Sequence, residues 1–353
     1  MATVATLSTA LLVPQVFDPY VTLQTQEKSK LLQSGAISRS AFLDNFLAGA
    51  GNIVTMPFYK DLTRVVSNVS SSDDATLSTP KAITGASIIQ ERLSRNQSWT
   101  AADLAADLTG SDPLKSIGDR VASYWAWDLQ KAMLATLAGV FADNDAVVNG
   151  SDTHTRYDLT YDASTNDGTP GGTPQSASDT TRFSAELLID TLATMGDSAD
   201  GLSTLLVHPV VYARMLKRNM ITFVPDSQEK RNIPTFMDME VVSDNMVPAG
   251  SAGTGLAGKY YTYILGRGAM QLGMGSPRIP SEVYRAPNGG NGGGIETLYS
   301  RQEFVLAPEG TSFIGTATEG GADNTALATA ANWSRRYPER KQVRIARLVT
   351  QES

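Results

Sequence analysis

Apolar residues recur at helical spacing through residues 111–143: Leu114, Ile117, Val121, Tyr124, Trp125, Leu129, Met133, Leu134, Leu137, Val140 and Phe141. That rhythm predicts one long amphipathic helix. Ser111-Asp112-Pro113 supplies its start, a capping side chain followed by proline in the first turn. At 1.5 Å per residue the helix spans roughly 45 Å, which makes it a strut. Upstream the rhythm is that of strands. Ile53, Thr55 and Pro57 alternate with Val54, Met56 and Phe58, and Lys81 to Gln97 is again extended, with Ile83, Ile88, Ile89 and Leu93. The polar run Ser67 to Ser78 lies between them, so a long hairpin is predicted, with no Asn-Gly pair to close its tip tightly. Thr100 then reads as the cap of a short helix, Ala101 to Leu108, stopped by Gly110.

The first fifty residues have a different character. Leu11 to Phe17 is apolar but interrupted by Pro14, hence extended. Short helical pieces are predicted at Val21 to Leu32, ending near Gly35, and at Ser38 to Leu47. Such an arm has little core of its own, and its apolar residues need a partner surface. Beyond the strut, a polar, glycine-rich stretch holds a short strand at Tyr157 to Tyr161. A helix is predicted at Thr181 to Met195, a buried strand at Leu202 to Val207, and a turn at His208-Pro209 into a helix, Val210 to Arg218. Further strands at Ile221 to Val224, Glu240 to Val242 and Tyr260 to Leu265 complete a mixed α/β lobe. Asn288 to Gly294 reads as a flexible surface loop. Strands Glu296 to Leu306 and Thr311 to Thr316, a helix Asn324 to Trp333 and a terminal strand Gln342 to Val349 follow.

Composition narrows the function classes. With 41% hydrophobic and 18% charged residues, the chain is an ordinary folded protein. A net charge of −7 argues against a dedicated nucleic-acid binder; DNA beside it would be confined rather than gripped. The absence of cysteine excludes disulfides and cysteine-based metal sites. Met1 to Val13 lacks a basic start, and no stretch approaches the roughly 20 apolar residues of a membrane span. Synthesis and use in the cytoplasm, without a membrane, are therefore predicted.

Catalytic chemistry is hard to assemble from these residues. His154 lies in a polar loop and reads as solvated, and His208 reads as structural at its turn. Two histidines among scattered carboxylates do not give zinc-ligand spacing. Gly266-Arg267-Gly268 begins like a dinucleotide fingerprint, but the next glycine, Gly273, comes two positions late. Asp103 and Asp107 share a helical face and read as solvated. No catalytic, cofactor or metal site is predicted. Arg335, Arg336, Arg340, Lys341, Arg344 and Arg347 form a basic cluster. Pairing between subunits is the preferred reading, with a solvated strand carrying intrachain ion pairs next, and DNA contact last.

The order of parts, arm, hairpin, strut and α/β lobe, carries a resemblance, and so do three local stretches. These are Val13-Pro14-Gln15-Val16-Phe17 through Glu27-Lys28-Ser29 to Ser34-Gly35; Leu206-Val207-His208-Pro209; and Asn332-Trp333-Ser334-Arg335 through Lys341 to Ile345. Together they resemble the major capsid proteins of the Hong Kong 97 fold, shared by tailed phages, herpesviruses and encapsulins. The resemblance implies an α+β fold with an N-terminal arm (1–51), an extended loop hairpin (52–99), a peripheral domain (100–180) with its spine helix (111–143), an axial domain (181–285), and a last segment (286–353) returning to both. It implies a non-enzymatic coat subunit that assembles as hexamers and pentamers into an icosahedral head shell around double-stranded DNA. An encapsulin-type cargo shell is the alternative. Implied partners are further copies of the chain, a scaffolding protein and a portal, with a cement or decoration protein possible and DNA a weak, non-specific neighbour. Because some relatives carry a scaffolding segment before the arm and this arm begins almost at Met1, scaffolding is expected from a separate protein. The implied location is the virion capsid, assembled in the bacterial cytoplasm. Some relatives crosslink subunits through a lysine and an asparagine; Lys60 and Lys81 lie in or near the hairpin, but nothing fixes a partner, and crosslinking is not predicted.

Overall fold

Alternation along one central strand organises much of the chain. The computed structural model describes residues 30–60, 62, 66–73, 75, 77–104, 107, 113–146, 157–165, 178–225, 232–249, 258–316 and 318–352. The predicted extended run around Pro14 and most of the predicted helix 21–32 lie outside them.

Residues 30 to 51 are not a detached arm. Leu31 in the one-turn helix α1 (Lys30–Gln33) and Ala36 are completely buried. Strand β1 (Ile37–Arg39) pairs in parallel with β11 (Met270–Gly275), and helix α2 (Ala41–Ala48) buries Leu43 and Leu47 on the same strand. Gly273 and Gly275 alternate onto one face of β11, where Leu43 and Leu47 sit so close that a Cβ would collide. Of the arm expected at residues 1–51, the described part from residue 30 finds its apolar partner within its own chain, on β11 and the strand beside it.

That neighbouring strand is β13 (Ile295–Pro308), the axis of the first sheet. Along one edge it pairs with β4 (Leu93–Ala102) over ten residues, Phe304↔Leu93 to Ile295↔Ala102. Along the other it pairs with β11 through residues 303–308 and with β12 (Ser281–Ala286) through residues 295–300. The predicted strand Lys81 to Gln97 is two strands. The first, β3 (Gly85–Glu91), stays with β2 (Ile53–Tyr59), and the chain crosses to the sheet at Arg92. Because β4 continues to Ala102, the helix predicted from Ala101 begins no earlier than Asp103. The reason is packing: Trp99 on β4 meets Tyr124 edge-on at 5.2 Å, and Leu298 on β13 buries beside Trp125.

Tyr124 and Trp125 belong to the strut, α3 (Pro113–Ala146), whose 34 residues span about 51 Å. Its buried stripe passes from Val121 and Trp125 through Leu129 and Met133 to Leu137, Val140 and Phe141. The C-terminal half lies on the second sheet, ordered β5-β16-β10-β6-β9-β8-β7. These strands are β5 (Thr160–Asp162), β6 (Leu202–Val207), β7 (Thr222–Pro225), β8 (Asn232–Phe236), β9 (Met239–Ser243), β10 (Lys259–Gly266) and β16 (Ile345–Gln351). Leu206, Tyr263, Leu265 and Ile345 face α3, with Phe141 stacked on Tyr263 at 5.2 Å. Leu205, Val207, Ile264 and Leu348 face the opposite core, under helices α4 (Ala185–Ala193) and α5 (Pro209–Lys217). Burial on both faces explains why β6 and β10 read as continuous apolar runs.

The sheets redraw the expected lobes. β11 and β12, expected with the lobe at 181–285, pair in the first sheet, so the chain changes sheets at the turn 266–269. β8 has no forerunner in the sequence pattern. Residues 287–294 connect β12 to β13 with Gly290, Asn291, Gly292 and Gly294 at positive φ, a backbone that suits Gly and Asn. The helix predicted at Asn324 to Trp333 shrinks to one turn, α6 (Asn324–Leu327). It stops because Trp333 opens β15 (Trp333–Arg335), which pairs with β14 (Thr311–Phe313), and turns its indole into the core to donate to the Leu327 carbonyl at 2.7 Å.

That indole and carbonyl lie directly on Gly139 of α3, where a Cβ would overlap both. Gly139→Ala should therefore lower stability by about 2–3 kcal/mol, against the roughly 1 kcal/mol gain that alanine brings inside an ordinary helix. Urea unfolding of the unassembled subunit reads the sign.

Candidate self-assembly surface

β2 and β3 pair antiparallel from Ile53↔Glu91 to Tyr59↔Gly85, and residues 60–84 continue beyond the ladder. The root of this hairpin is held by polar groups. The Arg92 guanidinium donates to Glu303 at 3.0 Å and to the Leu47, Gly49 and Gly51 carbonyls at 3.1–3.4 Å. One side chain thus ties the end of α2, the hairpin and β13 together, and satisfies carbonyls that the end of α2 leaves open. Buried Glu91 accepts from the Thr318 and Ala322 amides, each at 3.0 Å, and the Gln90 amide donates to the Thr311 carbonyl at 2.7 Å. Farther out, Phe58 meets Tyr337 edge-on at 5.0 Å.

Past that contact the support ends. Tyr59, Leu62, Val66, Val69, Leu77 and Ile83 are all exposed, Val66 by 93% and Val69 by 91%. Side chains that open do not lie on the body. Fixing this loop costs roughly 1–2 kcal/mol of backbone entropy per residue, and a single subunit gives it almost no burial in return. Exposed apolar surface of this kind marks an association site.

Five of the six residues of the basic cluster have side-chain partners within the chain. Arg335 donates to both oxygens of Asp158 at 2.7–2.8 Å, and the Arg340 Nε donates to the Asp158 carbonyl at 2.9 Å. Arg344 forks onto Glu309 at 2.8–2.9 Å, Lys341 pairs with Asp197, and Arg347 pairs with Asp145 over the Phe141 ring. The Arg336 amide donates to the Gly310 carbonyl. Burial pushes the Arg340 pKa down to about 10. These intrachain pairs engage the cluster within one copy; Arg335–Asp158 is buried and Arg347–Asp145 largely so, whereas Arg344–Glu309 and Lys341–Asp197 are partly exposed.

The other sequence candidates stay apart. His208 caps α5, its Nδ1 accepting from the Val210 amide at 3.3 Å beside the Tyr260 ring, and burial pushes its pKa down. His154 lies outside the described residues. Gly266 to Gly268 form the β10–β11 turn, with no helix start after them. Asp103 is not simply solvated: it pairs with Arg285 at 2.6 Å. Lys60 and Lys81 are exposed on the two arms of the loop. Among the described residues no group of His, Asp and Glu could hold a metal ion, and no helix is long and apolar enough to cross a membrane. Sequence reasoning missed the Arg92 clamp. Its signal was there, a charged residue interrupting the apolar run from Ile88 to Leu93.

Two outcomes follow for the unassembled subunit. Arg92→Ala leaves Glu303 largely buried without its cation and should cost about 3 kcal/mol; Arg92→Lys recovers only part, since an ammonium cannot fork to four acceptors. Urea unfolding measures both. On α3, burial holds the Asp128 carboxyl above its usual range despite Arg95 and Lys131. A raised folded-state pKa means stability is fullest at acidic pH and falls as pH rises from the ordinary carboxylate value through the folded one. Asp128→Asn should abolish that fall and melt higher at neutral pH, as thermal unfolding against pH will show.

No family model matches the chain. It is 33% identical over 342 residues to the major capsid protein of Bacillus phage SPP1, with 96% of each chain covered. Its fold is similar to the cyanophage Pam1 capsid asymmetric unit, with a TM-score of 0.55, 9% identity and coverage of 88% of this chain and 87% of that one. It is also similar to the capsid of Ralstonia phage GP4, with a TM-score of 0.53, 12% identity and coverage of 91% and 88%.

Proposed function

The chain belongs to the tailed-bacteriophage major capsid proteins of the Hong Kong 97 fold, and from that premise we propose how its parts divide the work of a shell. Its function is structural: copies assemble into the head shell that encloses the phage DNA, and the chain is a component of the virion capsid. The observation that carries this is full-length similarity to a capsid protein, and the exposed hairpin loop supplies a physical reason for self-association. No observation favours the encapsulin alternative.

In the proposed division, α3 and the first sheet form the peripheral domain. The second sheet with α4 and α5 forms the axial domain around the local symmetry axes. Residues 52–91 form the extended loop lying over a neighbour, and residues 1–51 the N-terminal arm, whose described part packs on β11 of its own chain. Hexamers and pentamers are the proposed units of assembly, in the cytoplasm of the host. A scaffolding protein, a portal and possibly a cement protein are the remaining protein partners. Packaged DNA is a weak, non-specific neighbour, since a net charge of −7 discourages tight binding to phosphates. The shell role asks for no reaction, and the chain is proposed to be no enzyme.

Expression together with its neighbouring gene products, followed by negative-stain microscopy, tests the reading directly; a wild-type chain that never leaves the monomer would overturn it. Removing residues 1–29 should leave a folded subunit, because Leu31 in the core is retained, but one that forms no closed shells. Regular particles from that truncation would show that the arm's contacts are dispensable.

A further inference from the structure

The connection between β12 and β13 holds two Asn-Gly pairs, Asn288-Gly289 and Asn291-Gly292. Such a pair carries a reaction of its own. The backbone nitrogen after an asparagine can attack the side-chain amide carbon, and glycine, lacking a Cβ, shields that nitrogen least. The rate then depends on whether the nitrogen is already bonded and on how freely the backbone turns.

The loop treats its two pairs differently. Gly289 belongs to the anchored base. Its amide donates to the Ala286 carbonyl at 3.1 Å and its carbonyl accepts from the Gly294 amide at 3.0 Å. The Ile295 side chain lies so close that a Cβ on Gly289 would meet it at 2.9 Å. Gly294 is fixed in turn, its carbonyl accepting from the Asp103 amide at 3.1 Å. Asn291 and Gly292 lie at the tip between these anchors. Both are exposed, and a Cβ on Gly292 would stand in open space. Among the described residues the Gly292 amide has no backbone hydrogen-bond partner. Asn291 stands at φ +58° and Gly292 at φ +88°, flanked by Gly290 and Gly293. Asparagine and glycine both tolerate that region, and the flanking glycines let the tip turn at little steric cost. One hydrogen bond spans it, from the Gly293 amide to the Gly290 carbonyl at 3.2 Å.

We propose that Asn291 is a site of spontaneous modification: it deamidates through its own backbone, while Asn288, three residues away, is protected by the fold. The Gly292 nitrogen bonds to the Asn291 side-chain amide carbon and closes a five-membered imide. The side-chain nitrogen leaves as ammonia, taking the proton that the Gly292 nitrogen gives up. One solvent water then opens the ring at either carbonyl. Opening at the former side-chain carbon gives aspartate; opening at the former backbone carbonyl gives isoaspartate, with the main chain rerouted through the side chain. Nothing is oxidised or reduced, and no partner molecule besides water is needed. The tip gains a negative charge, and in the isoaspartate form an extra backbone carbon. Asn288 resists because its attacking nitrogen must first leave the Ala286 carbonyl and Ile295 must move aside. The inference stands on the loop geometry alone and is independent of the shell reading.

Incubating the purified subunit in mildly alkaline buffer tests it. Trypsin releases both asparagines in one peptide, residues 286–301, between Arg285 and Arg301. Fragmentation mass spectrometry places each deamidation, and an isoaspartate-specific methyltransferase counts the rerouted product. In the folded chain Asn291 should react at least about fivefold faster than Asn288, the effect of one retained hydrogen bond with added crowding. In urea the preference should largely vanish, because the anchors are gone. Asn291→Gln should remove most of the isoaspartate from this peptide, since the larger ring closes slowly, and Asn288→Gln should leave its yield nearly unchanged. Equal rates at the two asparagines in the folded chain overturn the proposal. So does an intact Asn291 in the folded chain after the urea sample has reacted, or a preference for Asn291 that persists undiminished in urea.

Discussion

The subunit depends on burying one continuous apolar stripe. α3 presents that stripe over most of its length, and each part of it requires a different partner. Val121 and Trp125 need β4 and β13; Leu137 to Phe141 need β10, β15 and the turn at Leu327. Neither sheet alone offers enough apolar surface, so the helix enforces their union. At roughly 25 cal/mol per Å² of apolar area removed from water, this burial is what holds two sheets of separate topology in one body.

Ion pairs then fix details that apolar burial leaves free. Arg92 reaches Glu303, Arg335 reaches Asp158 and Arg347 reaches Asp145, each spanning well over a hundred residues of sequence. Such pairs add little net stability once desolvation is counted, but breaking one leaves a costly charge behind. The first pair ties the hairpin root to β13, and the other two select how the closing segment, residues 333–351, lies against earlier parts of the chain.

Much of the fold was legible because helical and strand periodicities are local. The strut, the strands at β6 and β16, the His208 turn and the hairpin all stand in the sequence. What was hidden depends on tertiary neighbours. The helix foreseen after Thr100 yields to strand because Trp99 finds Tyr124, and the helix foreseen through Trp333 ends early because Gly139 leaves room for an indole. The core role of residues 31–48 depends on two glycines more than two hundred residues away. The basic cluster misled for the same reason: its carboxylate partners, Asp145, Asp158, Asp197 and Glu309, are distant in sequence. The exposed, polar-tipped hairpin could be foreseen, but the clamp at its root could not, because Glu303 and the carbonyls that Arg92 reaches come together only in the fold.

The long ladder between β4 and β13 has a mechanical consequence. The hairpin continues through Arg92 into β4, and β4 is bonded to β13 over ten residue pairs. A tug on the loop from an adjoining subunit is delivered to one end of that ladder. Where the pull runs along the strand, all the rungs share the load and must slip together, so the join behaves like a lap joint glued along its length rather than a zipper opened tooth by tooth. The join accordingly resists a pull along the strand better than one that peels it open.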